Sequence, residues 1–246
     1  MLPVLLSVGP ITITTFGFFS AISFVVLSYF LWRSLKEDYL EEEILTFTIV
    51  LTAATLFGAR LLYILSHLYN FGFNFSKYFN LGLYPGFSML GGILTILGII
   101  LYWVKKKSWN LWLILDEIIK ALLFVLLVSG LGYFLSSGTN FALAFILISA
   151  IVLLISLIFS KYYRKFIWYK SGKPGFVGLS SFSLFAVLYL GLEIFFKKGI
   201  VWEEIGMLVL GLYSLGYLYY RSERNLKDDF RDGINFFKNK VKRKHE

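Results

Sequence analysis

The stretch "YPGFSMLGGILTILGIILYWVKKKSWNLWLILDEI", Tyr84–Ile118, joins an apolar run, a lysine triplet and the start of a second apolar run. No side chain from Phe87 to Val104 is charged. At 1.5 Å per residue that run is close to the roughly 30 Å a helix needs to cross a bilayer core. Lys105–Lys107 would stop it at a headgroup boundary, and Leu111 starts the return. Gly91 and Gly92 at its mouth raise a second question, because paired glycines in an apolar run let something approach the backbone closely. That something is either a lipid or another backbone.

The rest of the chain repeats the pattern. Of 246 residues 58% are hydrophobic and 16% charged, and the mean hydropathy is +0.73. An average soluble domain carries about 25% charged residues, so the composition indicates an integral membrane protein. Apolar stretches of spanning length occupy Ile11–Leu31, Ile44–Leu65, Phe87–Val104, Leu111–Leu135, Phe141–Phe159, Phe176–Phe196 and Gly199–Tyr220. The expected fold is therefore all-α, an integral membrane bundle of seven transmembrane helices over residues 1–220. No basic segment precedes the first run, so a permanent span is expected there rather than a cleaved signal.

Charge placement orients the bundle. Lys and Arg in alternate connections number nineteen on one side (Arg33, Lys36, Lys105–Lys107, Lys161–Lys173 and the tail) against Lys77, Lys197 and Lys198 on the other. The positive-inside rule then places the N-terminus outside and the C-terminus in the cytoplasm. Topology accounts for the net charge of +9 without a nucleic-acid partner. With no cysteine and only His67 and His245, neither disulfides nor a metal centre is expected.

Two connections stand out. "NFGFNFSKYFNLGLYP", Asn70–Pro85, alternates aromatic with small or polar residues and reads as an outer interfacial arm, or as an irregular loop with interfacial aromatics. In residues 221–246, Leu226, Phe230, Ile234, Phe237 and Val241 share one helical face among Lys and Arg. This reads as an amphipathic cytoplasmic tail on the inner leaflet, with a solvated tail as the alternative.

Charges inside spans cost on the order of 3 kcal/mol each and need a reason. Arg60 is expected to face the bundle, toward a carboxylate or a lipid phosphate, unless it snorkels to the headgroups. Asp116 and Lys120, four apart, are expected to pair. Glu193 is expected to be interfacial. Gly17/Ala21, Ala54/Gly58 and Gly132/Ser136 are small-residue pairs suited to helix packing, and Gly91–Gly92 could serve the same end.

Several stretches resemble, in order, the motifs of the prolipoprotein diacylglyceryl transferase family. They are "SVGPITITTFGFFSAISF" (Ser7–Phe24), "FGARLLYIL" (Phe57–Leu65), the opening stretch above, and "YSLGYLYYRSER" (Tyr213–Arg224). The resemblance implies transfer of a diacylglyceryl group from phosphatidylglycerol to the thiol of a prolipoprotein cysteine, forming a thioether without a cofactor. It marks Arg60, Ser88, Gly91, Gly92, Arg221 and Arg224 as candidates for lipid binding. It leaves the catalytic residues unassigned, because the polar machinery is substituted. The family's His position is Leu90, its Tyr is Phe16, its fourth-span Arg and Asn fall on Gly130 and Tyr133 of "SGLGYFLSSG", and its last-span Arg falls on Tyr217. The expectation is a divergent member that keeps the lipid-binding fold, with diacylglyceryl transfer absent or very weak. Its rivals are an active transferase with a rearranged site and a non-enzymatic bundle that binds lipid or protein.

Overall fold

A computed structural model describes residues 4–8, 11–72, 75–79, 84, 86–166, 168–169, 171–197 and 202–224. The tail face Leu226–Val241 lies outside the described residues. Two short strands, β1 (Val4–Val8) and β2 (Ile11–Thr14), pair antiparallel. The long helices are α1 (Thr15–Leu35), α2 (Glu41–Ser66), α5 (Met89–Lys107), α6 (Leu111–Ser137), α7 (Asn140–Tyr162), α8 (Phe176–Lys197) and α9 (Trp202–Arg221). Between α2 and α5 lie two short helices, α3 (Leu68–Phe71) and α4 (Phe75–Phe79).

The chain is all-α apart from the strand pair, and it carries membrane-spanning helices. α1, α2, α5, α7 with the turn after it, and α8 are long and apolar enough to cross a membrane. These are five of the seven expected spans. Their outward faces are apolar, with Val25, Phe57 and Leu154 all more than half exposed, a surface suited to lipid rather than water.

The first expected span starts later than its apolar run. Ile11–Thr14 is strand, because a run of β-branched residues favours extended backbone. The Thr14 hydroxyl then caps α1 by accepting the Gly17 N–H at 3.1 Å. Other caps follow the sequence closely. Asn110 accepts the Trp112 and Leu113 N–H groups at the start of α6, and Gly138 closes that helix at φ +63°.

α1 packs on α6, α2 on α5, α6 on α7, α7 on α8 and α8 on α9. Around the Lys105–Lys107 end, Leu31, Leu35, Ile44, Phe47, Ile100 and Ile114 form one core. Glu43 ties α2 to the α5–α6 turn, accepting from Lys107 Nζ at 2.8 Å and Trp109 Nε1 at 3.3 Å.

The Gly-Gly question is answered by this packing. A side-chain carbon at position 91 would lie 2.6 Å from Leu62 Cβ and 2.8 Å from the Gly58 carbonyl, and one at 92 would touch Thr55 and Ala59. Gly58 is in turn pressed against Thr95. What approaches the Gly91–Gly92 backbone is therefore α2.

Asp116 does not pair with Lys120. Its carboxylate accepts the N–H groups of Gly175 at 2.7 Å and Gly178 at 2.6 Å, while Lys120 binds Glu117 at 2.7 Å. The N-terminus of α8 offers orphan donors and a positive dipole end, and a carboxylate satisfies both. Gly178 allows the approach, since a side-chain carbon there would lie 2.9 Å from the Leu115 carbonyl.

Candidate functional site

The site lies at the opposite end from Lys105–Lys107, where α2 ends and α5 begins. Ser88 caps α5, accepting the Gly91 N–H at 3.1 Å, and is 1% exposed. Its own hydroxyl donates to Glu203 Oε2 at 2.8 Å, joining α5 to the first turn of α9. Gly86, at φ +148°, lets the incoming chain pass beneath the Tyr63 ring, where a side chain would collide.

Arg60 is buried and holds the arm between α2 and α5. Nε donates to the Tyr78 carbonyl at 3.1 Å, Nη1 to the Gly86 carbonyl at 2.9 Å and Nη2 to the Lys77 carbonyl at 3.5 Å. Its guanidinium lies 5.2 Å from the centre of the Phe71 ring and 5.8 Å from that of Tyr63. Of the two expected partners, a carboxylate is not found on Arg60 among the described residues. These acceptors are neutral carbonyls, so the positive charge is oriented without being cancelled, and a guanidinium's five N–H groups leave donors to spare. Among the described residues of this segment, Phe71 of α3 lies 6.1 Å from the ring of Tyr78 in α4 and 5.7 Å from that of Tyr84, forming an aromatic group beside Arg60.

Next to Arg60 opens a cleft of about 260 Å³, lined by Tyr63, His67, Phe87, Met89, Leu90, Tyr189, Glu203, Glu204 and Met207. Its floor is apolar. Leu90, on the turn that starts α5, is pressed against α9, where a side-chain carbon at Gly206 would lie 2.6 Å from Leu90 Cδ2. Its rim is polar and titratable. Tyr189 on α8 hydrogen-bonds to Glu193 one turn further on. Glu193 is 1% exposed, so its carboxyl is buried within the bundle beside Tyr189. Glu204 is 5% exposed.

His67 ends α2. Its ring stacks on Tyr63 with centroids 4.3 Å apart. Nδ1 lies 3.0 Å from the Tyr63 carbonyl and 3.0 Å from Ser66 Oγ. The single Ser66 hydroxyl proton has the Leu62 carbonyl at 3.0 Å and the Tyr63 carbonyl at 2.9 Å as acceptors in reach. The Tyr63 carbonyl can only accept, so its contact with Nδ1 calls for a proton on that nitrogen.

Four of the six expected lipid contacts thus come together here: Arg60, Ser88, Gly91 and Gly92. Of these, Gly91 and Gly92 serve helix packing. Arg221 does not join them. It ends α9, about 30 Å along the helix from Glu203, and stacks 3.9 Å over the Trp112 ring while donating to the Pro174 carbonyl at 2.8 Å. Arg224 follows it at that same far end. Sequence reading missed Tyr189, Glu193, Glu203, Glu204 and the cleft role of His67. One signal was available: Arg60, Tyr63 and His67 stand at i, i+3 and i+7, a single helical stripe.

The chain is thus a membrane-embedded helical protein with a small cleft at one end, lined by titratable side chains and one helical turn from the buried Arg60. The family model for prolipoprotein diacylglyceryl transferase matches residues 3–224, and the chain belongs to that family. No curated protein matches the chain.

Proposed function

We propose that this chain is a diacylglyceryl transferase-like protein of the cytoplasmic membrane that binds phospholipid, phosphatidylglycerol first, at the Arg60 end of the bundle. The headgroup phosphate sits against Arg60, and the acyl chains leave between helices. The acceptor is the cysteine thiol of a prolipoprotein. This reading includes seven spans, α6 and α9 among them, with residues 1–220 as the membrane domain and 221–246 as the cytoplasmic tail. It also includes an outside N-terminus, which puts the cleft in the outer half of the bilayer. Arg221 and Arg224 then face the inner leaflet, where their charge serves anchoring.

The observation that carries the reading is the charge of Arg60, oriented by neutral carbonyls and without a carboxylate partner among the described residues, 5.8 Å from the ring of Tyr63 on the cleft lining. A guanidinium in that state suits a phosphate through its fork of donors. The expectation of little or no turnover rested on two losses, a base at the Leu90 position and phosphate-directed cations. The lost cations are those at Gly130 and Tyr217, and Arg60 is the one that the expectation already kept. Of the rival readings, the rearranged transferase has more support than a purely structural bundle, because structural packing gives no reason for five ionisable side chains (Tyr63, His67, Tyr189, Glu203 and Glu204) around one cleft.

The test is expression in a strain depleted of its own transferase. Growth with diacylglyceryl-modified lipoprotein supports the reading. Failure to restore growth, together with no phosphatidylglycerol on the purified protein, would refute it.

A further inference from the structure

The geometry points to His67 Nε2 as the general base of this site, taking the proton of the acceptor thiol from a position that the family's own motif does not occupy. The assignment rests on the transferase reading above. Three observations carry it. His67 lines the same cleft as Leu90, so an imidazole reaches the space that the Leu90 side chain leaves apolar. The Tyr63 carbonyl can only accept, so its 3.0 Å contact with Nδ1 calls for a proton there and leaves the lone pair on Nε2. Nε2 takes no hydrogen bond among the described residues, while stacking on Tyr63 holds the ring plane.

The step balances without a cofactor. Nε2 removes the proton from the thiol. The thiolate attacks the glyceryl carbon that bears the phosphoester oxygen. The C–S bond forms as the C–O bond breaks, and the electron pair leaves with the oxygen as glycerol phosphate. The imidazolium then releases its proton to that phosphate or to water. Arg60 faces the leaving phosphate. The groups around the base are Tyr63 and Arg60 on its own helix, Tyr189 on α8 with Glu193 behind it, and Glu203 and Glu204 on α9.

The sign of the pH dependence follows. Protonated Nε2 accepts nothing, so the transfer rate falls on acidification. The test uses the full chain in nanodiscs containing labelled phosphatidylglycerol, with a cysteine peptide as acceptor. His67→Gln is expected to lower single-turnover transfer by about 10²–10⁴-fold and to remove the acid limb of the pH profile. His245→Gln is the control and keeps both. His67→Ala is expected to regain rate with added imidazole, which a merely structural role would not permit. A His67→Gln protein with the parent's rate, or with the same acid limb, overturns the assignment. If the unaltered chain retains phosphatidylglycerol without transferring its diacylglyceryl group, the base assignment falls and lipid binding stands. If it does neither, both fall.

Discussion

Arg60 shows how one residue's sequence context fixes its chemistry. A cation in an apolar run needs acceptors, and the chain supplies them from its own arm through the Tyr78, Gly86 and Lys77 carbonyls. A hydrogen bond to a charged group is worth about 1.5–3 kcal/mol. Arg60→Leu is therefore expected to orphan these carbonyls and free the arm. Hydrogen exchange should rise in residues 68–79, and retained phosphatidylglycerol should fall. Unchanged exchange would mean that the arm is held by its aromatic contacts alone. Arg60 was legible in the sequence as an inward-facing cation, but its partners were not, because they are backbone groups 17 to 26 residues away. Asp116 was misread for a related reason. Its spacing from Lys120 suggests a pair, yet the free N–H groups of another helix compete better for a carboxylate than a lysine does. Helix periodicity reports neighbours on the same element and says nothing of donors brought by the fold.

At the scale of elements, the α2–α5 contact positions the site. Gly58, Gly91 and Gly92 let the two helices meet closely, which sets Arg60 and Ser88 on adjacent backbones, with Ser88 N–H donating to the Ala59 carbonyl at 2.9 Å. Gly91→Leu should force α5 off α2 at a cost of about 1–3 kcal/mol, read as a lower melting temperature in detergent. Gly98 has open space around it, so Gly98→Ala should be neutral or slightly stabilising through helix propensity. Equal melting of the two variants would contradict the packing role. Most long helices were legible because their apolar runs end at charges or caps, such as Lys105–Lys107 and Asn110. The start of α1 was not, since β-branched residues are apolar in either strand or helix.

For the whole molecule, the two ends differ in kind. One is tied by Glu43, Asp116 and Arg221 to neighbouring helices, and the other opens into the cleft. The expected topology places the open end outside. A reporter fused after Glu246 should be active only in the cytoplasm, and activity outside would reverse the assignment. Glu193, Glu203 and Glu204 converge at the open end from two helices, and that convergence depends on how α8 and α9 pack, which no local pattern encodes.

The central claim is that phospholipid binds at the Arg60 end. The most direct measurement is photo-crosslinking of the intact protein in nanodiscs with a headgroup-labelled phosphatidylglycerol analogue, with adducts mapped by mass spectrometry. The account predicts adducts on Tyr63, Phe87, Met89 and Met207 that unlabelled phosphatidylglycerol competes away and that Arg60→Leu reduces. Adducts confined to the Trp112–Tyr217 end, or spread evenly along the bundle, would contradict it.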